Sequence, residues 1–336
     1  MNKQKLSLLI KKMLLRAGVY GVIRTLFPNR KAAILRYHAL AAPQDNFYTS
    51  PAIALSPAEF EQQVKYFARK YRVISLDEIV DCLRQNRPLP KNSVAFTFDD
   101  GYSDNLEAAL ILKKYAAGGT FFITTEPIGR ESRFWLSEVT LLILKTTQGV
   151  FRLTLGEKQA EFALTDAPSR WKAIRELVRL IKSNDRAVRE EIRRQLSKQL
   201  GEPALLEEVQ NLVLTWEQVR QMARMGMLIG SHTLTHLNLP NADPEDARRE
   251  IAESKKVLEE QLGAPIRHFS YPNSGPYEYF NAQIREFVIE SGYDSSSTSN
   301  NGFVSHSSDR FALERVRTVP ELAEVVHAME WERVFG

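Results

Sequence analysis

Asp99 and Asp100 stand side by side at the end of an apolar run, in VAFTFDDGYSDN, residues 94–105. Two like charges at the end of a buried strand drive one carboxyl toward protonation unless a cation neutralises its neighbour. Two imidazoles, His232 and His236, follow a second apolar run in MLIGSHTLTH. Four residues apart, they reach the same side of the backbone in one helical turn or a tight loop, which suits attachment to one metal ion. One carboxylate with two imidazoles leaves coordination positions for water and substrate. The other carboxylate is then available to take a proton from that water, although residue type alone does not say which Asp does which. Read blandly, FDDG is a turn or a helix cap and the two histidines are surface residues. A third imidazole, His38, ends the run AILRYH.

These side chains need strand ends to carry them. In parallel α/β folds ligands bind beyond the C-terminal ends of the strands, and all three groups occupy such positions. A strand over 33–37 is followed by a helix in SPAEFEQQVKYFARKY, with Ser56 as N-cap and Pro57 in the first turn. RVISLDEIVDCLRQN gives a short strand and a helix, SVAFTF a strand, DNLEAALILKKY a helix with Asp104 and Glu107 spaced for a capping box, and GTFFIT a strand. This alternation predicts parallel strands joined by helical crossovers. It breaks over residues 126–214, where VFRLTLGEKQAEFALT alternates about Gly156 like a β-hairpin and two charged amphipathic helices follow. The break reads as an insertion between segments 31–125 and 215–325 of one α/β domain. The Ser/Asn-rich run 295–308 is expected to be a mobile loop.

FTFDDGY and IGSHTLTH, in this order and context, resemble the signature motifs of the polysaccharide deacetylase family, also called the NodB-homology or carbohydrate esterase 4 group. The resemblance spans residues 30–125 and 215–320 and implies a distorted (β/α) barrel. It also implies roles: Asp99 as catalytic base, and Asp100, His232 and His236 as ligands of a divalent metal, Zn2+ first, with Co2+, Ni2+ or Fe2+ as substitutes. The implied activity is hydrolysis of N-acetyl groups on amino sugars of a polysaccharide or lipid-linked oligosaccharide, releasing acetate. A deformylase, an amidase or esterase on a non-polymer substrate, and a non-catalytic carbohydrate-binding relative are the alternatives.

Where the sequence departs from the family pattern, new expectations arise. The third motif usually places an Arg ahead of a Pro-Tyr pair, whereas FSYPNSG has Ser270 and Asn273 at those positions. A backbone N–H at Asn273 still suits an oxyanion, because a main-chain donor does not depend on side-chain type. Arg315 or Arg317 would supply the missing guanidinium by pairing with Asp99. The family's late Leu-x-His acid is missing from the C-terminal region, where His327 fits a helical pattern and reads as structural. Members with permuted motif order carry an early Tyr-His instead, which makes His38 the expected acid. Tyr271, Trp135 and Arg315 are the expected substrate contacts, and Tyr277 and Tyr279 are further rings able to stack on a sugar.

The remaining composition bounds the partners. A net charge of +4 from 45 basic and 41 acidic residues in 336 is far below that of a nucleic-acid-binding chain. The single cysteine, Cys82, excludes an internal disulfide framework and any multi-cysteine zinc site, and its helical context predicts burial. Residues 1–30 form a basic amphipathic segment, too interrupted by Lys and Arg for a bilayer-spanning helix and lacking a cleavage site for a secretory signal. Such a segment either packs on the domain or lies on an anionic membrane surface. The expectation is a cytoplasmic enzyme, peripheral at the inner membrane surface.

Overall fold

The run SVAFTF is buried at every position, which is the signature of a central parallel strand covered on both faces. The computed structural model describes residues 3–129, 132–275 and 278–335; Tyr277 lies outside them. Strands β1 (Ala33–Tyr37), β2 (Ala39–Leu40), β3 (Ala54–Leu55), β4 (Arg72–Val73), β5 (Ser93–Phe98) and β6 (Thr120–Ile123) come first. A hairpin, β7 (Val150–Leu155) and β8 (Lys158–Ala163), follows, and then β9 (Leu228–Ser231), β10 (His268–Ser270), β11 (Ser295–Ser297) and β12 (Val316–Arg317). The main sheet runs β11-β10-β9-β6-β5-β1-β12, with β4 added beside β5, and each of its ladders is parallel.

Its two edges are joined. Leu313 forms a parallel bridge to Ser297 at the β11 edge, and three residues later Val316 pairs with Leu35 of β1. The result is the distorted α/β barrel that the motifs imply. Aromatic rings fill its core: Phe98 stacks on Phe121 with centroids 4.6 Å apart and meets Phe60 edge-on at 5.3 Å. Each such ring, fully buried, contributes about 1.5–3 kcal/mol. On the outside, helix Pro57–Lys70 starts in a capping box made by Ser56 and Glu59, as its sequence predicts. Cys82 is buried on helix Leu76–Arg84.

Two local expectations are corrected. Ser295–Ser297 is a buried strand rather than a mobile loop, because its backbone pairs with β10 and the hydroxyls of Ser295 and Ser296 find partners inside: Ser296 Oγ donates to the Phe311 carbonyl at 2.6 Å. Asp104 does not cap helix Asn105–Lys114. Its carboxylate instead accepts from the Tyr48 hydroxyl and from Asn105 Nδ2.

Between β6 and β9, which pair at Thr120 and Leu228, the chain leaves the sheet to form the hairpin β7-β8 and helices Trp135–Lys145, Ala167–Lys182, Arg186–Leu200 and Pro203–Gln210. These enclose a second hydrophobic core, with Phe151, Leu177 and Leu196 at its centre, separate from the core of the barrel.

At the N-terminus, helices Lys3–Arg16 and Val19–Leu26 are divided at Gly18, whose φ of +76° favours glycine. They pack on helix Leu322–Phe335 through Lys11–Glu324 (3.6 Å) and Arg24–Glu330 (3.0 Å) ion pairs, and Lys12 pairs with Glu321 just before that helix (2.6 Å). His327 is structural as expected, its Nδ1 lying 2.9 Å from the Tyr20 hydroxyl. Leu9, Ile10, Met13, Val22, Leu26 and Phe27 on these helices remain 47–67% exposed. No helix among the described residues is long and apolar enough to cross a membrane.

Candidate active site

β5 ends at Phe98, and the chain then turns sharply through Asp100 and Gly101, with φ of +80° and +83°. Positive φ is costly for a residue with a Cβ and is retained where function requires the geometry. His236 (+58°), Thr233 (+68°) and Asn273 (+74°) share this strain. His232 and His236 follow β9 on a tight loop, not a helix, and their rings lie 5.0 Å apart.

Asp100 Oδ1 stands 3.4 Å from Nε2 of His232 and 3.4 Å from Nε2 of His236. Ligand atoms of all three residues lie within 4.8 Å of one another, and all three residues are buried. Asp100 Oδ1 and His236 Nδ1 make no hydrogen bond among the described residues. A carboxylate oxygen that is buried and unsatisfied, facing two imidazole nitrogens, fits a divalent cation and is costly without one. His232 Nδ1 donates to the Ser270 carbonyl at 2.7 Å, which fixes the tautomer and leaves Nε2 as an acceptor for a metal. Burial opposes ionisation of Asp100, but the two imidazoles hold its carboxyl well below the usual range. Burial also lowers the pKa of His236.

Asp99 is gripped from the other side. Arg315 Nη1 donates to Asp99 Oδ1 at 2.8 Å and Nη2 to Oδ2 at 2.7 Å, a bidentate pair between fully buried groups. Ser270 accepts from the same Nη2 at 3.1 Å, and Arg315 Nε donates to the Thr298 carbonyl at 2.8 Å. The guanidinium absent from position 270 is therefore supplied from position 315. Burial alone would raise the Asp99 pKa; Arg315 and His232 overcome it and hold the carboxyl well below the usual carboxylate range. Arg317 points elsewhere, to the Ala52 carbonyl.

His38 Nε2 lies 3.8 Å from Asp99 Oδ2. Burial pushes its pKa down to about 4 against the pull of Asp100 and Asp99, so the ring is neutral at pH 7. Asn273 borders the same cavity; its carbonyl accepts from Ser299 Oγ at 2.7 Å.

Three expected substrate contacts are placed differently. The Tyr271 ring is fully buried, its hydroxyl donating to the Phe311 carbonyl at 3.1 Å, and it does not reach the cavity. Trp135 lies behind the metal-ligand loop, its Nε1 donating to the His236 carbonyl at 3.3 Å. Arg315 is committed to Asp99 and has no exposed surface. Tyr279 is also buried, bonded to Asn300 at 2.6 Å.

Sequence reasoning missed the clamp on the SHTLTH loop. Glu250 accepts from both the backbone N–H (2.8 Å) and the hydroxyl (2.6 Å) of Thr235, and Arg189 from the insertion donates to the Thr235 carbonyl (3.1 Å) and hydroxyl (3.0 Å). A signal existed. Glu250 falls on the buried face of its helix with Ala247, Ile251 and Ser254, and Arg189 on that of Ile192 and Leu196; a charge on a core-facing stripe needs a buried partner. Above Asp100, His232 and His236 opens a cavity of about 760 Å³, walled by helix Ala167–Lys182, residues 49–53, Arg36, Asn273 and Ser299.

The arrangement can hold a divalent cation beside an ionised base at the floor of a cleft, which suits hydrolysis of an acyl group. Comparison with known proteins agrees. The YxkH protein of Bacillus subtilis (strain 168), whose name assigns it provisionally to the polysaccharide deacetylases, is 23% identical over 295 residues, 87% of this chain and 73% of its own length. The fold is similar to that of Streptococcus pyogenes deacetylase PplD in complex with acetate, at 22% identity, a TM-score of 0.59 and coverage of 90% and 98% of the two chains. IcaB from Ammonifex degensii is similar at 19% identity and a TM-score of 0.56, with 89% and 97% covered. The family model for polysaccharide deacetylase matches residues 86–295, well over half of the sequence and enclosing both Asp residues and both histidines, so the chain belongs to the polysaccharide deacetylase family.

Proposed function

We propose that this protein is a metal-dependent hydrolase that removes N-acetyl groups from amino sugars of a saccharide. The observation that carries the reading is the split of the Asp pair: Asp100 faces two imidazoles, while Asp99 is held ionised by a bidentate Arg315. Two nitrogen donors and one oxygen donor suit zinc first. A divalent ion bound by Asp100, His232 and His236 supplies polarisation of the amide carbonyl and a lowered pKa for water.

The rest falls to the chain's own side chains. Asp99, ionised and fixed in orientation, accepts a proton from the water that attacks the acetyl carbon. The Asn273 N–H donates to the oxygen that gains negative charge. His38 begins neutral, so the proton it gives to the departing nitrogen must first arrive; Asp99 Oδ2, 3.8 Å away, is its source. The C–N bond breaks, and acetate and a free amine leave.

The test is acetate release from N-acetylglucosamine oligomers by zinc-loaded protein. Asp99→Asn should lower kcat by several orders of magnitude, and stripping the metal with a chelator should abolish turnover until zinc is restored. Absence of metal-dependent release from any N-acetylated saccharide would overturn the reading.

The exposed apolar residues of the N-terminal helices, interleaved with Lys and Arg, also support peripheral attachment to an anionic membrane. Vesicles containing phosphatidylglycerol should retain the protein in sedimentation and lose it on Leu9→Glu with Met13→Glu. Equal retention of that variant would refute the attachment.

A further inference from the structure

The helix Ala167–Lys182 has two working faces. Ala173, Leu177 and Ile181 are buried in the second core. Trp171, Arg175, Val178, Arg179 and Lys182 line the cavity above the metal ligands, at the three- and four-residue spacing of a single helical stripe. Arg175, Arg179 and Lys182 thus form a ladder of cations about 10 Å long, from a rise of about 1.5 Å per residue. Its Lys182 end is tied to the chain just after the metal-ligand loop, because the Lys182 carbonyl accepts from the Asn238 and Asn241 amides at 2.9 and 2.8 Å.

Arg36 adds to this charge from the barrel. Its Nη1 donates to the Ser299 carbonyl at 3.1 Å, whereas its Nε is buried with no hydrogen-bond partner among the described residues. The lining holds two carboxylates, Asp99 and Asp100, and both are engaged at the catalytic centre.

The neighbouring charges make the contrast. Elsewhere in the insertion Arg193 pairs with Glu138, Arg194 with Glu191 and Lys172 with Glu176. Arg175 and Arg179 form no ion pair among the described residues, and they face the cleft. A cleft walled by one sign of charge concentrates ligands of the opposite sign. A neutral glycan gains no charge–charge attraction from these cations, and each acetyl group removed from it leaves an ammonium that they repel.

We infer that the substrate carries a negative charge, phosphoryl or carboxylate, on the acetylated sugar or the unit attached to it, and that the cationic stripe of the insertion helix reads it. The inference rests on the deacetylase reading above and names the substrate class for the same site.

Two matched pairs of probes test it: N-acetylglucosamine against its 1-phosphate, and chitotetraose against a hyaluronan tetrasaccharide. Acetate release by the zinc-loaded enzyme gives KM and kcat, and calorimetric binding to Asp99→Asn gives affinity independently of turnover. The anionic member of a pair should show a KM and a Kd roughly tenfold lower, the size of one charge-assisted contact. The pair that shows the preference identifies the source as phosphoryl or carboxylate.

Arg175→Glu with Arg179→Glu should abolish the preference. Both residues are exposed, so the variant should retain the wild-type thermal transition. Lys172→Glu, on the outer face of the same helix with 70% of its side chain exposed, should leave the preference intact. Equal KM and Kd within both pairs, or a preference that survives the double variant, would overturn the inference. If no probe releases acetate while Asp99→Asn still binds an anionic member more tightly through these arginines, the deacetylase reading fails and the anion site stands.

Discussion

Asp99 and Arg315 form a buried two-bond ion pair, at 2.8 and 2.7 Å, and such pairs show their strength when one partner is removed. Arg315→Met leaves an uncompensated carboxylate in the barrel and should cost about 3–5 kcal/mol in unfolding free energy. The sign of the pH effect follows from the causes acting on Asp99. Burial raises its pKa and Arg315 lowers it, so loss of the guanidinium moves the acidic limb of kcat/KM to higher pH. Arg315→Lys, keeping the charge but not the fork, should restore part of the shift. An unmoved acidic limb in Arg315→Met would show that Arg315 does not tune the base. The gathering of Asp99, Asp100, His232 and His236 at one cleft was legible because Asp and His at strand ends are few and their types announce chemistry. The partner of Asp99 was legible only as a choice between Arg315 and Arg317, since positions two apart share one face of an extended chain. Tyr271 and Trp135 misled for a physical reason: adjacency in sequence to a motif does not decide whether a ring faces the cleft or the core.

At the level of elements, the first turn of helix Asn105–Lys114 carries a second electrostatic cost. Burial pushes the Asp104 carboxyl up to about 6, opposed by hydrogen bonds from Tyr48 and Asn105. A carboxyl whose folded pKa exceeds its unfolded value near 3.9 stabilises the fold below that value and loses this contribution as pH rises through about 6. Asp104→Asn should therefore stabilise the protein by about 3 kcal/mol at pH 8, with the difference shrinking toward zero near pH 4, as read by urea unfolding at the two pH values. A difference independent of pH would count against this account. Helices with apolar stripes and N-caps were readable, as at Ser56. β11 was not, because Ser295–Ser297 has the composition of a loop and becomes a strand only through hydrogen bonds to residues far along the chain.

In the whole molecule, the barrel and the separately cored insertion meet at the cavity. The barrel holds Asp99, Asp100, His232 and His236, and the insertion supplies the opposite wall. Leu177→Ala, in the second core, should cost about 2–5 kcal/mol and raise the KM for acetylated saccharide more than it lowers kcat, because helix Ala167–Lys182 shapes binding and not the base. A fall in kcat with unchanged KM would contradict that division. The alternating elements and the place where they break off were readable from the sequence. The approach of the insertion to the reacting groups was not, since it rests on contacts such as Arg189 with Thr235, where the local pattern shows only that a core-facing charge needs a partner and not which residue supplies it.

The joining of the barrel's edges through residues 313–316 bears on how the protein is made. Arg315 lies 216 residues after Asp99, and it enters the core on the segment that bridges β11 to β1. While the polypeptide is still growing on the ribosome, Asp99, Asp100 and both histidines already exist, but the guanidinium that grips Asp99 does not. A nascent chain therefore holds Asp99 without its ion-pair partner, and the pair forms only as the last strand of the sheet docks. Closing the barrel and pairing Asp99 are one event.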